Sequence, residues 1–142
     1  MAAAKKRARV VADLMSTELV TLGRNETLLV ADELLKQKRV RHLPVLDDDG
    51  ELSGIVTQRD LFRGALLRSL GYGSRAEDMM LVSLLVKDAM TDDPVTTTPS
   101  TPLADAARLM IDRGIGCLPV LDGGRLVGIL TEGDFVRLAI AD

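Results

Sequence analysis

Leu43-Pro44-Val45-Leu46-Asp47, followed by Gly54-Ile55-Val56-Thr57-Gln58-Arg59-Asp60, is the stretch that decides the fold of this chain. It occurs a second time as Leu118-Pro119-Val120-Leu121-Asp122 and Gly128-Ile129-Leu130-Thr131-Glu132-Gly133-Asp134. The first block recurs at an offset of 75 residues and the second at 74, so one residue is lost in the turn between them. Working outward at the offset of 75, Val11-Ala12-Asp13-Leu14-Met15-Ser16 falls on Val86-Lys87-Asp88-Ala89-Met90-Thr91, and Val20-Thr21 falls on Val95-Thr96. Leu28, Ala31 and Leu34 fall on Leu103, Ala106 and Leu109. Chance does not sustain such a register. The chain is two copies of one unit of about 55 residues, and self-similarity of this kind sets the architecture before any single element does.

Each copy carries the same run of elements. Val20-Thr21 and Val95-Thr96 read as short extended pieces. Leu28, Ala31, Leu34 and Leu35 line one face of a helix, as do Leu103, Ala106, Ala107 and Met110. Thr101-Pro102 supplies a cap and a proline at the first helical position of the second of these. The apolar runs His42–Leu46 with Leu52–Thr57, and Cys117–Leu121 with Leu126–Thr131, read as hairpins. They are joined by Asp47-Asp48-Asp49-Gly50 and Asp122-Gly123-Gly124. A second helix follows Thr57 or Thr131, with Leu61, Ala65 and Leu67 in one copy and Phe135, Leu138 and Ala139 in the other. The unit is β-α-β-β-α, which makes the chain α+β. Alone it buries too little surface to be stable. The expected arrangement is two pseudo-twofold related units packed through their sheets. The expected boundaries are a basic tail over 1–10, unit 1 over 11–69, a linker over 70–85, and unit 2 over 86–142. The linker is Gly-rich and polar from Gly71 to Arg75, and Met79–Val86 reads as an added helix.

Composition narrows the function. The 142 residues cannot form a catalytic barrel of roughly 250 residues. A hydrophobic fraction of 46%, a charged fraction of 27% and a net charge of −3 give no general pull toward nucleic acid or an anionic membrane. No apolar run approaches the roughly 18 residues that span a bilayer. MAAAKKRARV is basic but lacks the apolar core of a secretory signal. The single cysteine, Cys117, excludes an intramolecular disulfide and a multi-cysteine zinc site, and points to the cytoplasm. The single histidine, His42, leaves no histidine cluster for a metal. Phe62, Tyr72 and Phe135 are the only aromatics, too few for a stacking platform on single-stranded nucleic acid. No nucleophile with an adjacent base, metal set or Walker-type loop is visible, so no enzyme is expected.

The sharpest local signal is the strand that ends at a threonine, with an aspartate three residues on: Thr57 and Asp60, Thr131 and Asp134. One reading is a capping box, the threonine accepting from the helix and the aspartate reaching back. The other uses the same geometry for binding. A helix N-terminus offers unpaired N–H groups and a positive dipole end to an anion. A hydroxyl beside it can bind a phosphate oxygen, and a carboxylate one turn in can accept both hydroxyls of a ribose. The two readings are compatible.

The duplicated β-α-β-β-α unit, the Leu-Pro-Val-hydrophobic-Asp strand and the Gly-x-hydrophobic-Thr-x-x-Asp ending resemble a tandem pair of CBS domains, a Bateman module. The resemblance covers about residues 11–66 and 86–141. It implies a stand-alone, non-catalytic regulatory module that binds adenosine-containing ligands such as AMP, ADP, ATP or S-adenosylmethionine between its units. It also implies a homodimer that signals to a partner protein. By the same resemblance, Asp60 and Asp134 take the ribose hydroxyls, and Thr57 and Thr131 contact phosphate or ribose. Ile55 and Ile129 line the base pockets. Val95 and Thr96 serve the Asp60 site and Val20 and Thr21 the Asp134 site, with Thr91 a weaker candidate. No cofactor is obligatory; the nucleotide is a regulatory ligand, and Mg²⁺ beside a polyphosphate is left open.

The copies diverge just before the Leu-Pro-Val strand. Copy one has Val40-Arg41-His42 where copy two has Ile115-Gly116-Cys117. Arg41 can pair bidentately with phosphate, and protonated His42 can assist. Each also has a plain reading, as a solvated strand-end charge and a half-exposed strand residue. The expectation is that the Asp60 site prefers a charged nucleotide and that the Asp134 site is weak, empty or suited to less phosphate. Asp47–Asp49 lack EF-hand spacing and read as a turn. Two further functions are open: a dimeric protein-interaction module without nucleotide, and nucleic-acid binding through Lys5-Lys6-Arg7-Ala8-Arg9.

Overall fold

The computed structural model describes residues 8–61 and 84–141. The basic tail before Ala8, Phe62, Ala65, Leu67 and linker residues 70–83 lie outside the described residues; of the helix expected over Met79–Val86, Leu84 and Leu85 are described and are not helical, Leu85 being extended. The elements are α1 (Val11–Leu14), β1 (Leu22–Gly23), α2 (Leu28–Lys38), β2 (His42–Leu46), β3 (Leu52–Thr57), α3 (Val86–Ala89), β4 (Thr91–Asp92), α4 (Leu103–Arg113), β5 (Cys117–Asp122), β6 (Arg125–Thr131) and α5 (Glu132–Ala139). A helical turn also opens at Gln58. The fold is mixed α+β.

The long helices form where the apolar spacing requires. Leu28, Ala31 and Leu35 of α2 are buried, as are Leu103, Ala106 and Met110 of α4, each set at i, i+3 and i+7. Pro102 precedes α4 as its cap and Leu103 is the first helical residue. That is one position from the sequence expectation, within the usual ambiguity of helix ends. Both helices stop at a residue in the left-handed region, Arg39 (φ 54°) and Gly114 (φ 63°). Beyond α4 the Gly114 N–H donates to Ile111 and the Ile115 N–H to Met110, which satisfies the last carbonyls.

The strands divide between two compact units, residues 20–94 and residues 1–19 with 95–142. In the first, the sheet order is β1-β2-β3-β4. β1 runs parallel to β2 (Leu22↔Val45), β2 antiparallel to β3 (His42↔Thr57, Pro44↔Ile55), and β3 antiparallel to β4 (Ile55↔Thr91). In the second unit, β5 and β6 pair antiparallel. Single bridges stand in place of the flanking strands: Thr97 parallel to Val120 and Ser16 antiparallel to Ile129. The extended pieces therefore engage at Leu22 and Thr97, one residue beyond Val20-Thr21 and Val95-Thr96.

Each unit thus takes its last flanking segment from the other repeat. Val86 and Met90 join the core of Leu22, Leu28, Ala31, Leu35, Leu43, Val45 and Val56. Val11 and Leu14 join that of Leu103, Ala106, Met110, Leu118, Val120 and Leu130. Two glycines permit it. A Cβ at Gly54 would lie 2.6 Å from the Met90 sulfur and 2.7 Å from the Thr91 carbonyl oxygen. At Gly128 it would lie 2.6 Å from the Met15 sulfur and 3.0 Å from the Ser16 oxygen. The hairpin loops are closed by their own side chains and glycines. Asp47 Oδ1 accepts from the Asp49 and Glu51 N–H groups, both at 3.0 Å, which makes the Asp-rich loop a turn. Gly123 and Gly124 both have positive φ, 59° and 82°, as a two-residue hairpin requires.

Candidate ligand-binding site

In the first unit β3 ends at Thr57 and hands over to the helical turn at Gln58. The Thr57 N–H donates to Asp60 Oδ2 at 2.8 Å, and the Asp60 N–H donates to Thr57 Oγ1 at 3.2 Å. This is a complete capping box, with both residues half-buried. Because the Thr57 hydroxyl accepts, its own proton can be directed elsewhere. The next N–H, of Gln58, donates to the Arg41 carbonyl at 2.9 Å, which ties Arg41 to the helix start. His42 lies opposite Thr57 across the hairpin and is half-buried, while Arg41 is exposed. Ile55 is buried beside Thr91, itself exposed on β4. Val20 packs on this unit's core and Thr21 follows it, half-buried.

The second unit repeats the frame with different bonding. The Thr131 N–H donates to Asp134 Oδ2 at 2.9 Å, and the Thr131 hydroxyl donates to the same oxygen at 3.3 Å. Arg137 Nη2 donates to Asp134 Oδ1 at 2.8 Å. Asp134 is buried, and no buried side-chain polar atom among the described residues is left without a partner. The Glu132 N–H donates to the Gly116 carbonyl at 3.0 Å, matching Gln58 and Arg41. Cys117 stands opposite Thr131, buried, and burial pushes its thiol up to about 12. Ile129 is half-buried and exchanges two backbone bonds with Ser16, at 2.9 and 3.0 Å. Val95 packs on this core, with Thr96 half-buried after it.

The structure therefore groups Val20, Thr21, Arg41, His42, Ile55, Thr57, Asp60 and Thr91 in one unit. Val95, Thr96, Ile129, Thr131 and Asp134 are grouped in the other. The divergence of Arg41-His42 from Gly116-Cys117 falls directly beside the two helix starts. Two polar groups next to these atoms are not among the sequence candidates. Ser16 is the repeat partner of Thr91 at the offset of 75, a signal present in the sequence. Arg137 follows Asp134 by three residues, one helical turn, a spacing that brings side chains together. Among the described residues no group of three or more His, Cys, Asp or Glu is placed to hold a metal ion. Likewise, no helix among them is long and apolar enough to cross a membrane.

A strand-to-helix turn with an inward-bonded Thr-x-x-Asp, occurring twice in a duplicated α+β frame, defines a class of proteins built from paired α+β repeats. The chain belongs to the CBS-domain family: residues 11–66 and 86–141 each match the CBS domain. A CBS domain-containing protein of Dictyostelium discoideum is 38% identical over 132 residues, covering 92% of this chain and 91% of that protein. The crystal structure of CBSX2 in complex with AMP is similar at TM-score 0.76 and 36% identity, over 94% of this chain and 97% of that one. The CBS domain pair of protein MJ0100, in complex with 5′-methylthioadenosine and S-adenosyl-L-methionine, is similar at TM-score 0.76 and 28% identity. It spans 92% of this chain and 98% of that one.

Proposed function

We propose that this chain is a non-catalytic regulatory module that binds adenosine-containing ligands through its two Thr-x-x-Asp turns and passes the bound state to a partner protein. The observation that carries the reading is the Thr57–Asp60 capping box. It fixes a carboxylate and a hydroxyl at a helix N-terminus, where a ribose and a phosphate can be held together. The binding of AMP by CBSX2 and of two adenosine derivatives by the MJ0100 pair supports it. In this reading Asp60 and Asp134 accept ribose hydroxyls and Thr57 and Thr131 meet phosphate or ribose. Ile55 and Ile129 line the base, with Val95-Thr96 serving Asp60 and Val20-Thr21 serving Asp134. Arg41 and His42 give the Asp60 site the greater affinity for phosphate, with or without Mg²⁺. The module acts in the cytoplasm as a homodimer. Ile111 on α4, Val136 on α5 and Ile140 just after it are 80%, 64% and 76% exposed, large apolar side chains that a second copy could cover.

Thermal unfolding against AMP, ADP, ATP, S-adenosylmethionine and GTP, with and without Mg²⁺, tests this. A ligand at about 100 times its dissociation constant stabilises by roughly 2.7 kcal/mol, a shift of several degrees. An adenine nucleotide should raise the midpoint, and Asp60→Ala should remove more of that gain than Asp134→Ala. No shift with any ligand on a folded dimer would leave the second reading, a protein-interaction module without nucleotide, favoured by the exposed apolar residues alone.

A further inference from the structure

At the second Thr-x-x-Asp turn the polar atoms of the aspartate are already occupied. Asp134 has a side chain only 7% exposed, and both carboxylate oxygens are engaged. Oδ2 takes the N–H and the hydroxyl of Thr131, and Oδ1 takes the Arg137 guanidinium at 2.8 Å. Arg137 itself is 59% exposed and folds back across Gly133. A Cβ built on Gly133 would lie 3.3 Å from Arg137 Nη1 and 3.4 Å from Nη2. The repeat counterpart of Gly133 is Arg59, and that of Arg137 is Arg63, which lies outside the described residues.

We infer that Arg137 is a built-in competitor for the ribose diol at the Asp134 site, so that this site takes a neutral adenosine ligand only by expelling the guanidinium from Asp134. The inference rests on the ribose–carboxylate reading above. Oδ2 already takes two donors from Thr131, so a ribose diol has to be received at Oδ1, the atom Arg137 holds. Leaving a buried carboxylate without a charge partner is costly, so Arg137 leaves only when the ligand's hydroxyls replace it. The Thr131 hydroxyl has one proton, and it is directed to Asp134, so it is not offered to a phosphate oxygen. Arg137 is largely in solvent, which keeps the competition modest and reversible.

The experiment is calorimetric titration of full-length Asp60→Ala protein, with and without Arg137→Ala, using adenosine, 2′,3′-dideoxyadenosine and AMP. Arg137→Met, which keeps the side-chain stem, guards against a packing effect. The expected result is an affinity for adenosine about fivefold higher without the guanidinium, and no gain with the dideoxynucleoside. Equal adenosine affinity in both proteins overturns the inference. So does a selective loss of AMP affinity, which would make Arg137 a phosphate ligand. Wild-type protein that binds adenosine or AMP while the Asp60→Ala proteins bind nothing overturns the Arg137 role alone. Wild-type protein that binds neither ligand ends the adenosine reading, and this inference with it.

Discussion

Cys117 and His42 hold the same place in the two repeats, opposite the threonine that starts a helix, and their surroundings set different chemistry. Cys117 is buried, and desolvation of the thiolate pushes its thiol up to about 12. A thiol so placed is a poor nucleophile, because the thiolate is the reactive form. Native protein at pH 8 should react with an aromatic disulfide reagent far more slowly than protein unfolded in guanidinium, read by the release of the coloured thiol. A native rate matching the unfolded one would refute the burial of Cys117. The sign of the linkage follows. The folded pKa is raised, so the contribution to stability is complete below the ordinary value of about 8.5 and is lost as pH rises toward 12. Asp13 shows the opposite direction. The N–H groups of Arg9 and Val10 donate to its carboxylate at 2.9 and 3.0 Å and hold its pKa below the ordinary value. Its contribution is present above that value and fades as pH falls through the lowered one.

At the level of elements, the two glycines that open the Gly-x-hydrophobic-Thr strands are steric requirements. Gly54 admits Met90 and the Thr91 carbonyl, and Gly128 admits Met15 and the Ser16 carbonyl. A methyl at either site meets a backbone oxygen, which has no rotamer to adopt. Gly54→Ala and Gly128→Ala should each destabilise by about 1–3 kcal/mol, as overpacked cores do, measured by urea unfolding. A change within about 0.5 kcal/mol would show that the flanking segment does not pack against the strand. The reason for these glycines is not legible in the sequence, because the colliding atoms come from a segment distant in the chain. What is legible there is local. Residues His42–Leu46 and Leu52–Thr57 form strands with the bounds their apolar runs and turn residues imply. Asp47 closes its loop as an Asp before a Gly turn should. The Thr57–Asp60 box is legible for the same reason, since its partners are three residues apart. Arg39 is a converse case. Its repeat partner is Gly114, and a helix end in the left-handed region is foreseeable at the glycine but not at the arginine.

For the whole molecule, the decisive feature is that a sequence repeat and a packing unit are different cuts of the chain. The repeats begin at Val11 and Val86, but the compact units change over at Leu19–Val20 and Pro94–Val95. Periodicity of residues reveals copies; it carries no information on which copy's leading turn closes which core. That choice is fixed by non-local packing, the Val11 and Leu14 side chains seated among Leu103, Ala106, Leu118 and Leu130. It has a consequence that the repeat alone would misplace. Leu14 is 2% exposed and lies in the first repeat, yet its truncation should weaken the strands of the second. Leu14→Ala should cost about 2–5 kcal/mol, as buried leucine truncations do. Native-state hydrogen exchange should locate the loss. Amides of β5 and β6 should exchange faster, while those of β2 and β3 keep their protection, because opening proceeds by cooperative units. Val86→Ala is the reciprocal case: Val86 is fully buried in the core of the first unit, so β2 and β3 should lose protection and β5 and β6 should not. If Leu14→Ala instead accelerates exchange in β2 and β3, the leading turn closes the core of its own repeat, and the exchanged arrangement of the units is wrong.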